Sequence, residues 1–128
     1  AAFGIGCVAM SSDCADIYNS KTIRGAMGAL FRVRIARFDD ITEAVSLLQA
    51  KGRRVFAAAL DTQAQKLGAS VLRSGDCVMI GNEGHGLTNK SVRACDRSLY
   101  IPMEPGNESL NAAIAASVIL WSMYGMRE

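Results

Sequence analysis

The sequence predicts an α/β domain built on a parallel sheet, and three observations carry that prediction. Short apolar runs alternate with stretches of helical periodicity along the whole chain. Two of the runs, Val55–Leu60 and Cys77–Ile80, are continuously apolar, as strands covered on both faces of a parallel sheet must be. Half of the 128 residues are apolar, one fifth are charged and two are proline, the balance of a soluble globular protein with a real core. No repeat, linker or low-complexity segment divides the chain, so residues 1–128 are expected to form one domain.

The elements follow in order. Ile5–Met10 is a short apolar run closed by Ser11-Ser12-Asp13 and reads as a buried strand. Ser20–Leu30 has helical character, with Asn19 or Ser20 as cap. Phe31–Ile35 reads as a strand. Asp40 and Glu43 then stand at capping-box spacing, and Ile41, Ala44, Val45 and Leu48 make one apolar helical face that Gly52 ends. Between Val55–Leu60 and Cys77–Ile80, Asp61–Gly75 is polar and patternless, a loop with at most one turn. Asn89–Ala94 is a short helix and Ser98–Ile101 a last strand. Ser109–Tyr124 is the final helix, apolar nearly all round and therefore expected to be buried on most sides.

Other features bound the function. A net charge of +2 permits nucleic-acid binding without announcing it. Cys7, Cys14, Cys77 and Cys95 form no CxxC pair, and His85 is the single histidine, so no metal site is expected. With no leader-like segment, the four are expected to be buried reduced thiols of a cytoplasmic protein. The longest apolar stretch, Ala112–Tyr124, is too short and too interrupted by serine to span a bilayer.

Two segments carry chemistry. The first, Gly81-Asn82-Glu83-Gly84-His85-Gly86-Leu87-Thr88, follows an apolar strand directly. Its three glycines allow a sharp turn and close approach of the backbone to a ligand, at the strand end where open α/β sheets bind ligands. The glycine order matches neither the dinucleotide fingerprint nor the phosphate loop. A plain tight turn with a solvated Glu83 and a loop His85 is the competing reading. The second, Ile101–Ala112, leaves a strand through two prolines and a glycine and enters the final helix. Ser109 and Asn111 there are either caps for orphan amides or polar groups with a partner.

VMIGNEGHGLT (Val78–Thr88) and IPMEPGNESLNAAIAAS (Ile101–Ser117) resemble the second and third signature motifs of SpoU (TrmH-type) RNA ribose methyltransferases, and DIYNSKTIRGAMGALFRV (Asp16–Val33) resembles the segment preceding them. The resemblance covers the chain in order. It implies a SPOUT-like α/β fold, helices on both faces of a parallel sheet, with a carboxyl-terminal trefoil knot, a homodimer, and S-adenosylmethionine as cofactor. It assigns cofactor contacts to Leu60, Gly81, Asn82, Gly84, Ile101, Met103, Leu110 and Asn111, with Leu60, Ile101 and Leu110 on the adenine. Glu83, Ser109 and Asn111 match positions implicated in catalysis. The family's first motif, with its activating arginine, would lie before Ala1, so a domain lacking its first strand and helix is implied, one that methylates poorly or not at all. Ala26 stands where serine is common, and Ala112-Ala113 where Val-Ser is frequent.

Lys21, Arg24 and Arg32, with Arg34 and Arg37, form a basic group able to meet RNA phosphates or simply to face water. The six methionines read as core filler. The expected function is transfer of a methyl group to a ribose 2′-hydroxyl in tRNA or rRNA. The alternatives are a non-catalytic dimeric RNA-binding module of the same fold, and an unrelated α/β nucleotide-binding protein.

Overall fold

The computed structural model describes residues 1–69, 71–106 and 109–125. Its elements run β1 (Cys7–Ser11), α1 (Ser20–Ala26), β2 (Arg34–Phe38), α2 (Ile41–Ala50), β3 (Val55–Ala58), β4 (Gln65–Lys66), β5 (Cys77–Met79), α3 (Asn89–Ala94), β6 (Arg97–Tyr100) and α4 (Ala112–Tyr124). Every strand pairing is parallel, which is the α/β class expected. The chain divides into two compact units, Ala1–Ala44 and Val45–Glu128.

In the first unit β1 pairs with β2, Cys7 beside Arg34 and Ser11 beside Phe38. β1 is not the buried strand expected, since Cys7, Val8 and Ala9 are all exposed. Two strands and one short helix offer too little apolar surface to cover a parallel pair on both faces. The Asn19 side chain caps α1 by accepting from the Lys21 amide at 2.9 Å. This helix stops at Ala26, short of the expected Leu30, because Met27 (φ 47°) and Gly28 (φ 80°) both turn left-handed. A single 3-10 turn over Ala29–Phe31 follows. The strand expected at Phe31–Ile35 is thereby displaced to Arg34–Phe38: Phe31 spends its apolar character in the turn, outside the ladder.

Asp40 caps α2, its Oδ1 accepting from the Thr42 amide at 2.9 Å and the Thr42 hydroxyl at 2.7 Å. At the other end Gly52 sits at φ 72°, its N–H on Gln49 O (2.8 Å) and that of Arg53 on Leu48 O (3.1 Å). This pair of bonds is the Schellman closure that a glycine in the left-handed region permits.

In the second unit the sheet order is β4-β6-β3-β5, with Phe56 of β3 between Val78 of β5 and Arg97 of β6. Phe56, Leu72, Leu99, Ile119 and Met123 form the buried cluster, with Val78, Ile101 and Leu120 packed against it. Each large side chain withdrawn from water there contributes about 1.5–3 kcal/mol. The segment Asp61–Gly75 is more ordered than its pattern predicts. Gln65 and Lys66 pair with Leu99 and Tyr100 as an edge strand, and Leu72 enters the core. Arg54 clamps the start of the sheet, donating to Asp76 Oδ1 at 3.0 Å and Oδ2 at 2.5 Å with its guanidinium over the Phe56 ring.

Two further expectations are corrected. α4 begins at Ala112 instead of Ser109 and is not buried on most sides. Ile119 and Met123 reach the core, while Ile114, Val118, Trp121 and Tyr124 stay exposed, because one sheet covers only one side of a helix that is apolar nearly all round. The thiols are free but not buried: Cys7 and Cys14 are exposed, and Cys77 and Cys95 are half-buried. Desolvation, helped by nearby Asp96, pushes the Cys95 thiol up to about 11. No described helix is long and apolar enough to cross a membrane.

Candidate functional site

Because β6, β3 and β5 are neighbours and parallel, the segments leaving their carboxyl ends lie side by side along one edge of the sheet. These are the segments after Ala58, Met79 and Tyr100, and they contain every predicted cofactor and catalytic position. An edge of this kind is where parallel α/β sheets collect ligands.

The loop after β5 folds back on itself. Asn82 and Gly86 exchange backbone hydrogen bonds, Asn82 N–H to Gly86 O at 3.2 Å and Gly86 N–H to Asn82 O at 2.8 Å. The Asn82 side chain accepts from the Gly84 amide at 2.7 Å, tightening the turn from inside. Gly86 closes it at φ 65°. A Cβ on Gly81 would lie 2.3 Å from the Gly86 carbonyl carbon and 2.5 Å from Leu87 N. The glycine is thus required by the loop's own closure, and not only by the approach of a ligand as the sequence suggests. The loop ends where Thr88 Oγ1 accepts from the Ser91 amide at 3.1 Å and caps α3.

Glu83 stands exposed in this turn, and its Oε1 accepts a hydrogen bond from Asn111 Nδ2. Asn111 is at the same time the cap of α4, its Oδ1 accepting from the Ala113 amide at 3.0 Å and the Ile114 amide at 3.3 Å. Both readings of Asn111 are therefore satisfied by one side chain, the oxygen capping the helix and the amide nitrogen holding a carboxylate. The two predicted catalytic residues Glu83 and Asn111 are brought together from loops 28 positions apart. Ser109 and Leu110, the residues before that cap, are exposed.

The remaining predicted positions differ in exposure. Leu60, just beyond β3, is 69% exposed, an apolar side chain held in water. Ile101 leans against the core cluster and Met103 is half-buried. His85 is exposed at the loop tip. Asn107 and Glu108, in the segment Ile101–Ala112, lie outside the described residues. Lys21, Arg24 and Arg32 belong to the first unit, where all three are exposed. Among the described residues no group of three or more His, Cys, Asp or Glu could hold a metal ion.

One polar side chain at this edge escaped the sequence reading. Asp61, next to Leu60, accepts from the buried Ser98 hydroxyl and from the Gln63 amide at 2.7 Å, which hold its carboxyl below the usual carboxylate range. The spacing Asp-x-Gln is an ordinary turn signal, and nothing in it foretells a bond to Ser98.

Exposed apolar groups beside hydrogen-bonding loop backbone and one oriented carboxylate suit a ligand with a flat apolar part and a cationic part. The profile of the SpoU rRNA Methylase family matches residues 1–121, and the chain belongs to that family. It is 32% identical over 126 residues to the 23S rRNA (guanosine(2553)-2′-O)-methyltransferase RlmP of Bacillus subtilis, covering 97% of this chain and 49% of that protein. Its fold is similar to that of the SpoU methyltransferase AviRb of Streptomyces viridochromogenes, crystallised in complex with the cofactor AdoMet (TM-score 0.82, 27% identity, 98% of this chain and 51% of that one). It is similar also to an AdoMet-bound rRNA methyltransferase of Sinorhizobium meliloti (TM-score 0.80, 27% identity, 94% and 46%). The chain spans about half the length of these relatives. Membership removes the alternative of an unrelated nucleotide-binding protein.

Proposed function

We propose that this chain is the catalytic domain of an S-adenosylmethionine-dependent RNA methyltransferase acting on a ribose 2′-hydroxyl in tRNA or rRNA. The observation that carries the reading is the Glu83–Asn111 hydrogen bond, which ties the loops after β5 and β6 into one site. The residues present fit the cofactor: Leu60 and Leu110 offer apolar surface for an adenine, Ile101 and Met103 a half-buried floor, and the loop at Gly81, Asn82 and Gly84 a compact polar wall. When bound, the cofactor supplies an electrophilic methyl group on a sulfonium. Glu83 places a negative charge in this site, and Asn111 fixes the direction of that charge from a rigid helix start. Ser109 is exposed beside Asn111, within the same strand-to-helix segment, as a hydroxyl donor and acceptor. Positioning of this kind supplies most of what a direct transfer between two bound reactants needs.

Lys21, Arg24 and Arg32 would meet RNA phosphates, and the exposed stripe of Ile114, Val118 and Trp121 on α4 would pack against a second copy in a cytoplasmic homodimer. Isothermal calorimetry with S-adenosylmethionine and with its demethylated product tests the site. Heat with either supports it, and a folded sample silent with both refutes it. Transfer of tritiated methyl to bulk RNA, compared with a chain extended upstream, tests the chemistry. Higher turnover by the extended chain is expected, since a positioned proton acceptor contributes on the order of 10²–10⁴ in rate. Equal turnover would place every activating group within residues 1–128.

A further inference from the structure

The first unit holds a cleft of about 400 Å³ whose lining includes Tyr18, Leu30, Phe31, Ile35 and Arg37. Two of these are aromatic rings presented to solvent, Tyr18 at 71% exposure and Phe31 at 85%. Both are displayed by built turns. The Tyr18 amide donates to Asp16 Oδ1 at 3.0 Å, and Phe31 ends the 3-10 turn that follows the two left-handed residues Met27 and Gly28. Apolar rings are normally withdrawn from water, so two of them held out beside one cleft call for an occupant.

The charge around them narrows the choice. Between Ile17 and Phe38 every charged residue is basic: Lys21, Arg24, Arg32, Arg34 and Arg37. All five are exposed, and among the described residues none enters an ion pair, although the same unit holds five carboxylates. A protein partner would need a matching cluster of carboxylates for these cations, whereas a nucleic-acid strand carries a phosphate at every nucleotide. A polyanion with flat rings satisfies both features at once, because phosphates take the cations and a base takes the rings.

We propose that this cleft seats one unpaired nucleobase of an RNA strand, with Tyr18 and Phe31 as stacking surfaces and Arg37 beside it. The assignment rests on the reading of the protein as RNA-binding and adds that it recognises single-stranded, not duplex, RNA through base stacking. The test is fluorescence anisotropy of the full chain with a short fluorescein-labelled oligouridylate and with a duplex of equal length, across a salt series. Tyr18→Ala and Phe31→Ala should each weaken single-strand binding about tenfold, leaving the salt slope, duplex binding and S-adenosylmethionine affinity unchanged. Phe31→Trp should retain binding. Arg37→Ala should instead flatten the salt slope by about 0.7, the loss of one phosphate contact. Unchanged single-strand affinity in both alanine variants would overturn the nucleobase seat while leaving RNA binding intact. No RNA binding by the unaltered chain would overturn both. Alanine variants that sediment as a smaller species, with RNA affinity unchanged, would make the cleft a contact between copies and overturn the proposal.

Discussion

Replacing Gly81 by alanine should be far more damaging than the same change at Gly84 or Gly86, although all three lie in one six-residue turn. The added Cβ at position 81 meets three backbone atoms, Gly86 C at 2.3 Å, Leu87 N at 2.5 Å and Gly86 O at 2.6 Å, where real Cβ contacts essentially never fall below 3.0 Å. Backbone cannot rotate away as a side chain can, so the turn must open. Opening breaks the two Asn82–Gly86 bonds, at about 0.5–1.5 kcal/mol each, and any clash that remains adds strain of about 1–3 kcal/mol. The expected loss is thus about 2–6 kcal/mol. At Gly84 the nearest atom is the Asn82 side-chain oxygen at 3.3 Å, which can shift, and the cost should stay below about 1 kcal/mol. At Gly86 nothing lies within 4 Å, and only the left-handed φ of 65° is penalised, by about 1–2 kcal/mol. Urea denaturation followed by circular dichroism reads the series. With a slope of about 1–3 kcal/mol/M, Gly81→Ala should lower the midpoint by roughly 1 M or more. Hydrogen exchange at the Gly86 amide should accelerate in step. A Gly81→Ala midpoint within about 0.3 M of the unaltered chain, with that amide still protected, would refute the reasoning.

Three more outcomes follow from described contacts. Asn111→Ala should cost about 0.5–2 kcal/mol in thermal unfolding through the lost cap of α4 and should weaken S-adenosylmethionine binding by freeing Glu83; Asn111→Asp should recover the cap but not the cofactor affinity. Ser98→Ala should raise the Asp61 carboxyl pKa toward its ordinary value in an NMR titration. A depressed folded-state pKa stabilises above the usual carboxylate range and is lost as pH falls through it, so the variant's stability should also depend less on acid. A thiol reagent at pH 8 should label Cys7 and Cys14 quickly and Cys95 slowly, since burial keeps Cys95 protonated up to about 11. The same raised value means stability is present below the ordinary thiol pKa and declines as pH climbs from there through the folded-state value.

What the sequence made legible is the part governed by local chemistry. The runs at Val55 and Cys77 became β3 and β5, Asn89–Ala94 became α3 at its expected bounds, and Asp40 and Gly52 did cap and close α2. The errors lie where a residue acts against its type or where a distant neighbour decides. Met27 takes a conformation usually left to glycine, which ended α1 early and pushed the next strand three residues along. Gln65–Lys66 is too short to show any period and is a strand only because Leu99 and Tyr100 pass beside it. The exposure of Ile114, Val118 and Trp121 could not be read from a helix that is apolar nearly all round. At the site, the motifs supplied Glu83 and Asn111, but not that one Asn111 side chain serves helix and carboxylate together. Asp61 depended on Ser98, 37 positions away, and left no trace in local pattern.

The strand order β4-β6-β3-β5 also constrains the sequence of events by which the chain can assemble. β3 and β5 can meet first, but β4, made before either β5 or β6, has among the described residues no strand partner other than β6. It has no strand to pair with until Arg97–Tyr100 has been made. Pairing of β3 with β5 can bring two of the loops together early, and only the addition of β6 beside β3 brings in the segment that carries Asn111. Long-range parallel closures of this kind are slow. A chain interrupted between Lys66 and Arg97 therefore leaves both an edge of β3 and the unpaired β4 open to pairing with other molecules.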